Sequence, residues 1–279
     1  MTIKTNQNLL KFLSYLIIFI SYISLQLGFF YNEDFIGGAK ADFVTYQNWI
    51  NFFLEDFKYY FFNYDQLDER HSPVIILYFT LLHKLGLSDT IIRYVHLNIA
   101  VLIFFYVYKC LKIKFQNTNI YLIILFSSLV FLSPTLRALS IWPDSRIYGL
   151  LFFVISLFYF LKFEREKNIL DAYYNILFLA FASYISPNFS LFSIFFFINY
   201  FLYLGHGKNL YKIILLNLIL SLPAFYYLFV LDVMFLFEGG TPGDLKVEGQ
   251  LPNRFNISNK IILIYSLVLS YVLPLILSN

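Results

Sequence analysis

The feature that most constrains this chain of 279 residues is a series of apolar runs, most of them close to the length that crosses a bilayer. The run at Leu9–Phe30 lacks the short apolar core and small-residue cleavage site of a signal peptide, so we expect it to remain as a span. Hydrophobic residues make up 59% and charged residues only 13% of the chain, which excludes a water-soluble domain. The runs predict about eight transmembrane helices. They are Leu9–Phe30, Ile91–Leu111, Ile120–Leu132, Ile147–Leu161, Ala172–Ile185, Phe189–Leu204, Ile213–Leu231 and Ile261–Leu277.

A further apolar segment, Pro73–Leu87, decides the topology of everything after it. If it lies along the outer surface without crossing, the basic clusters between spans all fall on the cytoplasmic side, as the positive-inside bias requires. These clusters are Lys4/Lys11, Lys109/Lys112/Lys114, Lys162/Arg165/Lys167 and Lys208/Lys212. We therefore predict an all-α polytopic membrane protein, one domain over residues 1–279, with a cytoplasmic N-terminus and juxtamembrane helices in a long first outer loop, 31–90.

The first outer loop is rich in acids near the membrane. Glu33 and Asp34 follow the first span directly, and Asp42 opens a predicted amphipathic helix after a Gly37-Gly38 turn. Asp42 is suited to be the N-cap or a first-turn residue of that helix. A carboxylate held at the membrane surface is also suited to remove a proton from an acceptor hydroxyl or amine, so Asp42 and Asp34 are both candidates for a general base.

His71-Ser72-Pro73 begins the predicted surface helix, and proline is expected in a first helical turn. The proline does not explain His71, which is either an interfacial polar anchor or a ligand for a phosphate or sugar hydroxyl.

The second outer segment combines Arg137, Trp142, Asp144 and Arg146 between two spans. The arginines either extend to the lipid headgroups or bind a lipid-linked phosphate, which guanidinium geometry suits. Trp142 offers an interfacial anchor or a face on which a sugar stacks.

The net charge and the remaining histidines do not point to a particular function. The net charge of +3 does not indicate nucleic-acid binding. The histidines His83, His96 and His206 are interpreted as interfacial or packing residues, and no metal-ligand cluster has convincing spacing. No cofactor is therefore assigned, and binding of a divalent metal ion is left as an alternative.

In the order of these features the chain resembles the membrane glycosyltransferases of the GT-C superfamily, which includes protein O-mannosyltransferases and the aminoarabinose transferase of lipid A. The resemblance covers most of the chain up to Leu161, and each motif is short. The matching residues are Glu33-Asp34, Gly37-Gly38-Ala39-Lys40-Ala41-Asp42-Phe43, His71-Ser72-Pro73, Leu85-Gly86, Arg93, Arg137 and Trp142-Pro143-Asp144.

The resemblance implies an inverting transferase in a bacterial inner membrane. Such an enzyme moves a sugar from a polyprenyl-phosphate donor to a glycan, lipid or protein acceptor on the periplasmic side. Asp42 or Asp34 is then the base, and the leaving phosphate is stabilised by Arg137 and Arg146. Glu33, His71, Trp142 and Asp144 complete the expected substrate-binding set.

This chain departs from the family pattern in three respects. Many relatives carry an Asp-Glu pair where this chain has Glu33-Asp34, so Asp42 competes for the catalytic role. Val74 stands where a second proline is usual. The chain also ends soon after Leu277, whereas many relatives continue, and a C-terminally truncated gene product is one interpretation.

Three alternatives are open at this point. A polysaccharide polymerase or ligase also uses outer arginines, but it usually has its largest outer loop late in the chain. A transporter or flippase of lipid-linked sugars predicts charges inside the spans and paired broken helices. An inactive scaffold of the same architecture is the third.

Overall fold

The computed structural model describes residues 7–34, 39–67 and 72–231, and within these residues the chain is helical without a strand. The α-helices are α1 (Gln7–Phe30), α2 (Ala39–Glu55), α3 (Phe57–Phe62), α4 (Val74–Lys84), α5 (Asp89–Leu97), α6 (Ile99–Lys114), α7 (Ile120–Ser128), α8 (Pro134–Ile141), α9 (Ser145–Glu166), α10 (Ile169–Ile185), α11 (Phe192–Leu204) and α12 (Lys208–Phe225). Short 3₁₀ turns cover Tyr64–Leu67, Leu129–Leu132 and Pro187–Leu191, and a π-turn covers Tyr226–Val230.

Five helical stretches are long and apolar enough to cross a membrane. They are Gln7–Phe30, Asp89–Lys114, Ser145–Glu166, Pro187–Leu204 and Lys208–Phe225. A sixth candidate is a pair of helical segments, Ile120–Leu132 and Pro134–Ile141, that bends by 69°. These helices are those of a polytopic integral membrane protein. The count of eight stays a prediction, because α10 has only 17 residues and Ile261–Leu277 lies outside the described residues.

The 69° bend has a local cause in the sequence. Ser133 has an extended backbone, and its hydroxyl accepts a hydrogen bond from the backbone N–H of Leu136 at 3.3 Å. Pro134 occupies the first turn of α8, where its missing N–H costs nothing. The chain therefore ends one helical segment and caps the next within a few residues.

The helical hairpin of α9 and α10 forms the centre of the bundle. Lys167 adopts a left-handed conformation with φ 55° at the turn, and the Asn168 side chain caps α10. Buried side chains of α9 and α10 pack against α11 and α12. They are Phe160, Phe163, Ala172, Ile176, Leu179, Phe196, Tyr200, Leu210 and Ile213.

A buried polar network crosses this core. The Asn175 amide donates to the Ser156 carbonyl at 2.9 Å and to the Ser156 hydroxyl at 2.8 Å, and its oxygen accepts from the Tyr200 hydroxyl at 2.9 Å. In lipid, the burial of apolar surface contributes little free energy to helix association. Hydrogen bonds and close packing of this kind therefore hold the helices together.

Helix α4 is 11 residues long, or about 16 Å, which is too short to cross a membrane. This agrees with the prediction that Pro73–Leu87 does not span. One face of α4, with Ile75, Ile76 and Phe79, is buried, and α2 is its main neighbour.

The chain separates into two compact units. The first contains the described residues of 7–62 and 72–224, including α1 to α12 up to Ala224. The second is described over 63–67 and 225–231, where the rings of Tyr64 and Tyr227 lie 5.8 Å apart. The single domain over 1–279 stays a prediction. All the residues considered below belong to the first unit.

Candidate functional site at one end of the helices

A paired glutamate and arginine connect the end of α1 to α8. The Arg137 Nε and Nη2 atoms both donate to Glu33 Oε2, at 2.9 and 2.7 Å. The same guanidinium donates to the Ser24 hydroxyl at 2.7 Å and to the Ser24 carbonyl at 2.9 Å. The Glu33 and Arg137 side chains are only 30% and 20% exposed, so this link is partly withdrawn from solvent.

Gly28 of α1 makes room for this pair. A methyl group at position 28 would stand 2.6 Å from Glu33 Oε2 and 2.9 Å from Arg137 Nη2. It would also meet the Ile141 side chain at 2.6 Å. A larger residue at position 28 would therefore displace the ends of these side chains, and glycine lets the charged groups approach the helix backbone closely.

Trp142 lies at the centre of the polar contacts. Its indole N–H donates to the Glu33 backbone carbonyl at 2.7 Å. The Arg93 guanidinium stacks 3.6 Å above the indole ring, and the Lys40 ammonium lies 5.4 Å from it. Cations in this position are attracted by the electron-rich face of the ring. Arg93 also donates to the Asn32 side chain at 2.8 Å.

Asp144 and Arg146 begin α9. One Asp144 oxygen caps the helix by accepting from the Arg146 backbone N–H at 2.7 Å, and it also accepts from Arg146 Nε at 2.9 Å. Asp144 is buried, with 1% of its side chain exposed. Arg146 Nη2 also donates to Asp42 Oδ2 at 2.7 Å, and this second pair is about half exposed, at 46% and 49%.

The other predicted base, Asp34, is the most exposed acid of the group. Its carboxylate is 54% exposed and lies 3.7 Å from Lys40 Nζ, which is a long ion pair. Asp42 in the first turn of α2 is held more closely by its arginine than Asp34 is by its lysine.

Seven of the eight site residues predicted from the sequence thus lie in two sets of contacting side chains, one around Trp142 and one around Arg146, which the short Trp142–Asp144 segment joins into one group. We call it the Trp142 cluster, and it consists of Glu33, Asp34, Lys40, Asp42, Arg93, Arg137, Trp142, Asp144 and Arg146. The eighth predicted residue, His71, lies outside the described residues.

Sequence reasoning did not assign a site role to Arg93, Lys40, Ser24 or Gly28. Arg93 offered a signal, since an arginine inside an apolar run is costly unless it has a partner. Ser24 and Gly28 offered none, because small residues in a span are common without any functional role.

The Trp142 cluster is electrostatically balanced. Its four acids, Glu33, Asp34, Asp42 and Asp144, face its four bases, Lys40, Arg93, Arg137 and Arg146. An anionic ligand of Arg137 or Arg146 must therefore compete with a carboxylate for the guanidinium group. Among the described residues, no three His, Cys, Asp or Glu side chains are arranged to hold a metal ion.

A cavity of about 390 Å³ lies elsewhere, between α10, α11 and α12. Its lining is mostly apolar and includes Asn175, Tyr200 and Asn217. It shares no residue with the Trp142 cluster.

Comparison of the chain with protein-family models, curated proteins and solved structures found no match.

Proposed function

We propose that this protein is a membrane glycosyltransferase that moves a sugar from a polyprenyl-phosphate donor to a glycan, lipid or protein acceptor. The observation that carries the proposal is the Trp142 cluster, in which Asp42 and Arg146, 104 positions apart in the chain, meet at one end of the helices. An inverting transfer needs a base for the acceptor and a cation for the leaving phosphate. The cluster has both kinds of group within hydrogen-bonding distance of each other.

In the proposed reaction, the Asp42 carboxylate takes the proton of the acceptor hydroxyl. The acceptor oxygen forms a bond to the anomeric carbon while the bond from that carbon to the phosphate oxygen breaks. The electron pair leaves with the polyprenyl phosphate, whose negative charge is stabilised by Arg146. Because Arg146 also pairs with Asp42, phosphate binding to Arg146 would release the carboxylate to act as a base.

The surroundings of the two arginines favour Arg146 for the phosphate. Arg137 is 20% exposed and already contacts the Glu33 carboxylate and both oxygens of Ser24. Arg146 is 46% exposed and one of its carboxylate partners is half exposed. We therefore assign Arg146 to the donor phosphate and Arg137 to holding α8 against α1.

Asp42 is the better candidate for the base. It lies beside Arg146 and is held on α2, and a helix is a rigid element for positioning a side chain. Asp34 has the weaker and more exposed contact with Lys40.

The experiment is sugar transfer in membranes by Asp42→Asn and Asp34→Asn variants, with Glu55→Gln at the far end of α2 as a matched control. We expect Asp42→Asn to lower the rate by about 100-fold or more, the usual contribution of a general base. Asp34→Asn and Glu55→Gln should stay near the wild-type rate. Full activity in both aspartate variants would eliminate the carboxylate-base mechanism.

A transporter of lipid-linked sugars is the second candidate, and the 69° break between α7 and α8 favours it. Broken helices of this kind line the binding sites of many transporters. Movement of a lipid-linked sugar across proteoliposomes without any transfer to an acceptor would replace the transferase proposal with this one.

A further inference from the structure

The carbonyl of Leu139 in α8 lacks its regular helical partner. In an α-helix this oxygen would accept from the N–H of residue 143, but residue 143 is proline and has no N–H. The backbone turns away at the same point, since Trp142 is extended with φ −116° and ψ 130°, as expected before a proline. The last backbone bond of α8 runs from the Trp142 N–H to the Ala138 carbonyl at 3.4 Å.

His96 supplies the missing donor. Its Nε2 atom lies 2.6 Å from the Leu139 oxygen, and the side chain is completely buried. A carbonyl can only accept, so the hydrogen of this bond is on Nε2. An unmade bond here would leave a buried carbonyl without a partner, which is costly.

The same imidazole also contacts the helix on the other side of the Trp142–Asp144 segment. Its ring centre lies 5.1 Å from that of Tyr148, a buried residue in the second turn of α9. His96 therefore contacts the last turn of α8 and the first turns of α9 at once. Between these two contacts lie Trp142, which binds the Glu33 carbonyl, and Asp144, which binds Arg146.

We infer that His96 is a positioning residue for the Trp142 cluster: its Nε2–H, bonded to the carbonyl that Pro143 leaves unpaired, fixes the segment carrying Trp142 and Asp144. This role differs from the packing role that the sequence suggested for His96. The positioning role of His96 does not depend on the proposed function, whereas its effect on sugar transfer rests on that function.

The experiment compares His96→Gln with His96→Met. The two side chains have nearly the same length and shape, but only glutamine carries an N–H donor. The chain contains two tryptophans, Trp49 and Trp142, so a Trp49→Phe background makes fluorescence report on Trp142 alone. Collisional quenching by acrylamide then measures how often the indole, 8% exposed in the structure, becomes accessible.

We expect His96→Met to raise the quenching constant by about fivefold, the population shift that follows from losing one typical hydrogen bond. His96→Gln should keep the value of the Trp49→Phe parent. His206→Met, placed at the connection between α11 and α12, is the control and should also keep it. A methionine variant that fails to fold beside a glutamine variant with parental quenching would still support the donor role.

Equal quenching in the two His96 variants, whether both parental or both raised, would overturn the inference. Transfer assays on the same variants separate this outcome from failure of the proposed function. If the parent transfers sugar, His96→Met should lower kcat and His96→Gln should restore it. If no variant transfers sugar, the proposed function fails while quenching still decides the role of His96.

Discussion

The two ends of the helices use charged side chains in different ways. In the Trp142 cluster two of the four ion pairs are local, and the other two join residues far apart in the chain, with 104 positions between Glu33 and Arg137 and the same number between Asp42 and Arg146. At the opposite end, where α9 turns into α10, the ion pairs are local. Lys162 pairs with Asp171, nine positions on, and with Glu166, four positions on.

This difference separates two physical roles for charge. Local pairs can form as soon as one helical hairpin has formed, so they report on that hairpin alone. The long-range pairs require α1, α2, α8 and α9 to be in place together, and each costs the ordering of distant segments. Charged side chains at the α9–α10 end also make long-range contacts, since the Tyr203 hydroxyl donates to Glu164 at 2.8 Å and the Lys167 ammonium lies 3.6 Å from the Tyr203 ring, but neither contact is an ion pair. Among the described residues, the ion pairs between residues far apart in the chain are thus those of the Trp142 cluster.

The largest expected effect on stability comes from Arg137→Met, which should lower the free energy of unfolding by about 2 kcal/mol. The change leaves the Glu33 carboxylate, 30% exposed, without its guanidinium partner. A fully buried pair would cost more when broken, but here both side chains keep some contact with solvent. Denaturant titration in detergent micelles, followed by circular dichroism, measures the change.

The control for this variant is Arg165→Met, near the end of α9, whose partner Glu166 is adjacent in sequence. It should leave the free energy of unfolding close to that of the wild type, because an exposed pair contributes little. Equal losses for Arg137→Met and Arg165→Met would remove the distinction between the two ends.

An intermediate effect is expected for Lys162→Met, which should cost about 1 kcal/mol. Lys162 Nζ lies 3.0 Å from Asp171, whose side chain is only 3% exposed at the start of α10. The change leaves that carboxylate without its cation, but a local turn can readjust and admit water. The same titration measures the effect, with Lys208→Met at the start of α12 as the control. A loss larger than that of Arg137→Met would reverse the comparison.

Much of the helical plan follows from the sequence, because the length and apolarity of a run set whether a helix can cross the bilayer. The run at Leu9–Phe30 corresponds closely to α1, and the short Pro73–Leu87 segment to the short α4. Helix ends were harder to predict. The predicted span Ile147–Leu161 is observed as Ser145–Glu166, because charged residues after Leu161 continue the helix beyond the apolar run.

The pairing within the Trp142 cluster could not be predicted. The sequence indicated which acids and arginines belong to outer segments, but nothing in it assigns Glu33 to Arg137 and Asp42 to Arg146. In the structure α8 follows a 69° bend, and the Glu33–Arg137 pair lies against Gly28. Burial likewise depends on tertiary packing: Asp171, which directly precedes the predicted span Ala172–Ile185, is a buried residue of α10.

The smallest effect is expected for Glu166→Gln, which should leave the thermal unfolding midpoint unchanged within measurement error. Glu166 pairs with Lys162 at 3.8 Å and with its neighbour Arg165, and its side chain is 37% exposed. Salt screens an exposed pair of this kind, and water replaces its contacts when the charge is removed. Glu33→Gln is the matched variant in the Trp142 cluster, since it makes the same chemical change in a glutamate of lower exposure. A lower midpoint for Glu33→Gln beside an unchanged midpoint for Glu166→Gln is therefore the expected pattern. If Glu166→Gln lowered the midpoint by as much as Glu33→Gln, local pairs would be as important as long-range ones, and the two ends would not differ in the way their charges stabilise the fold.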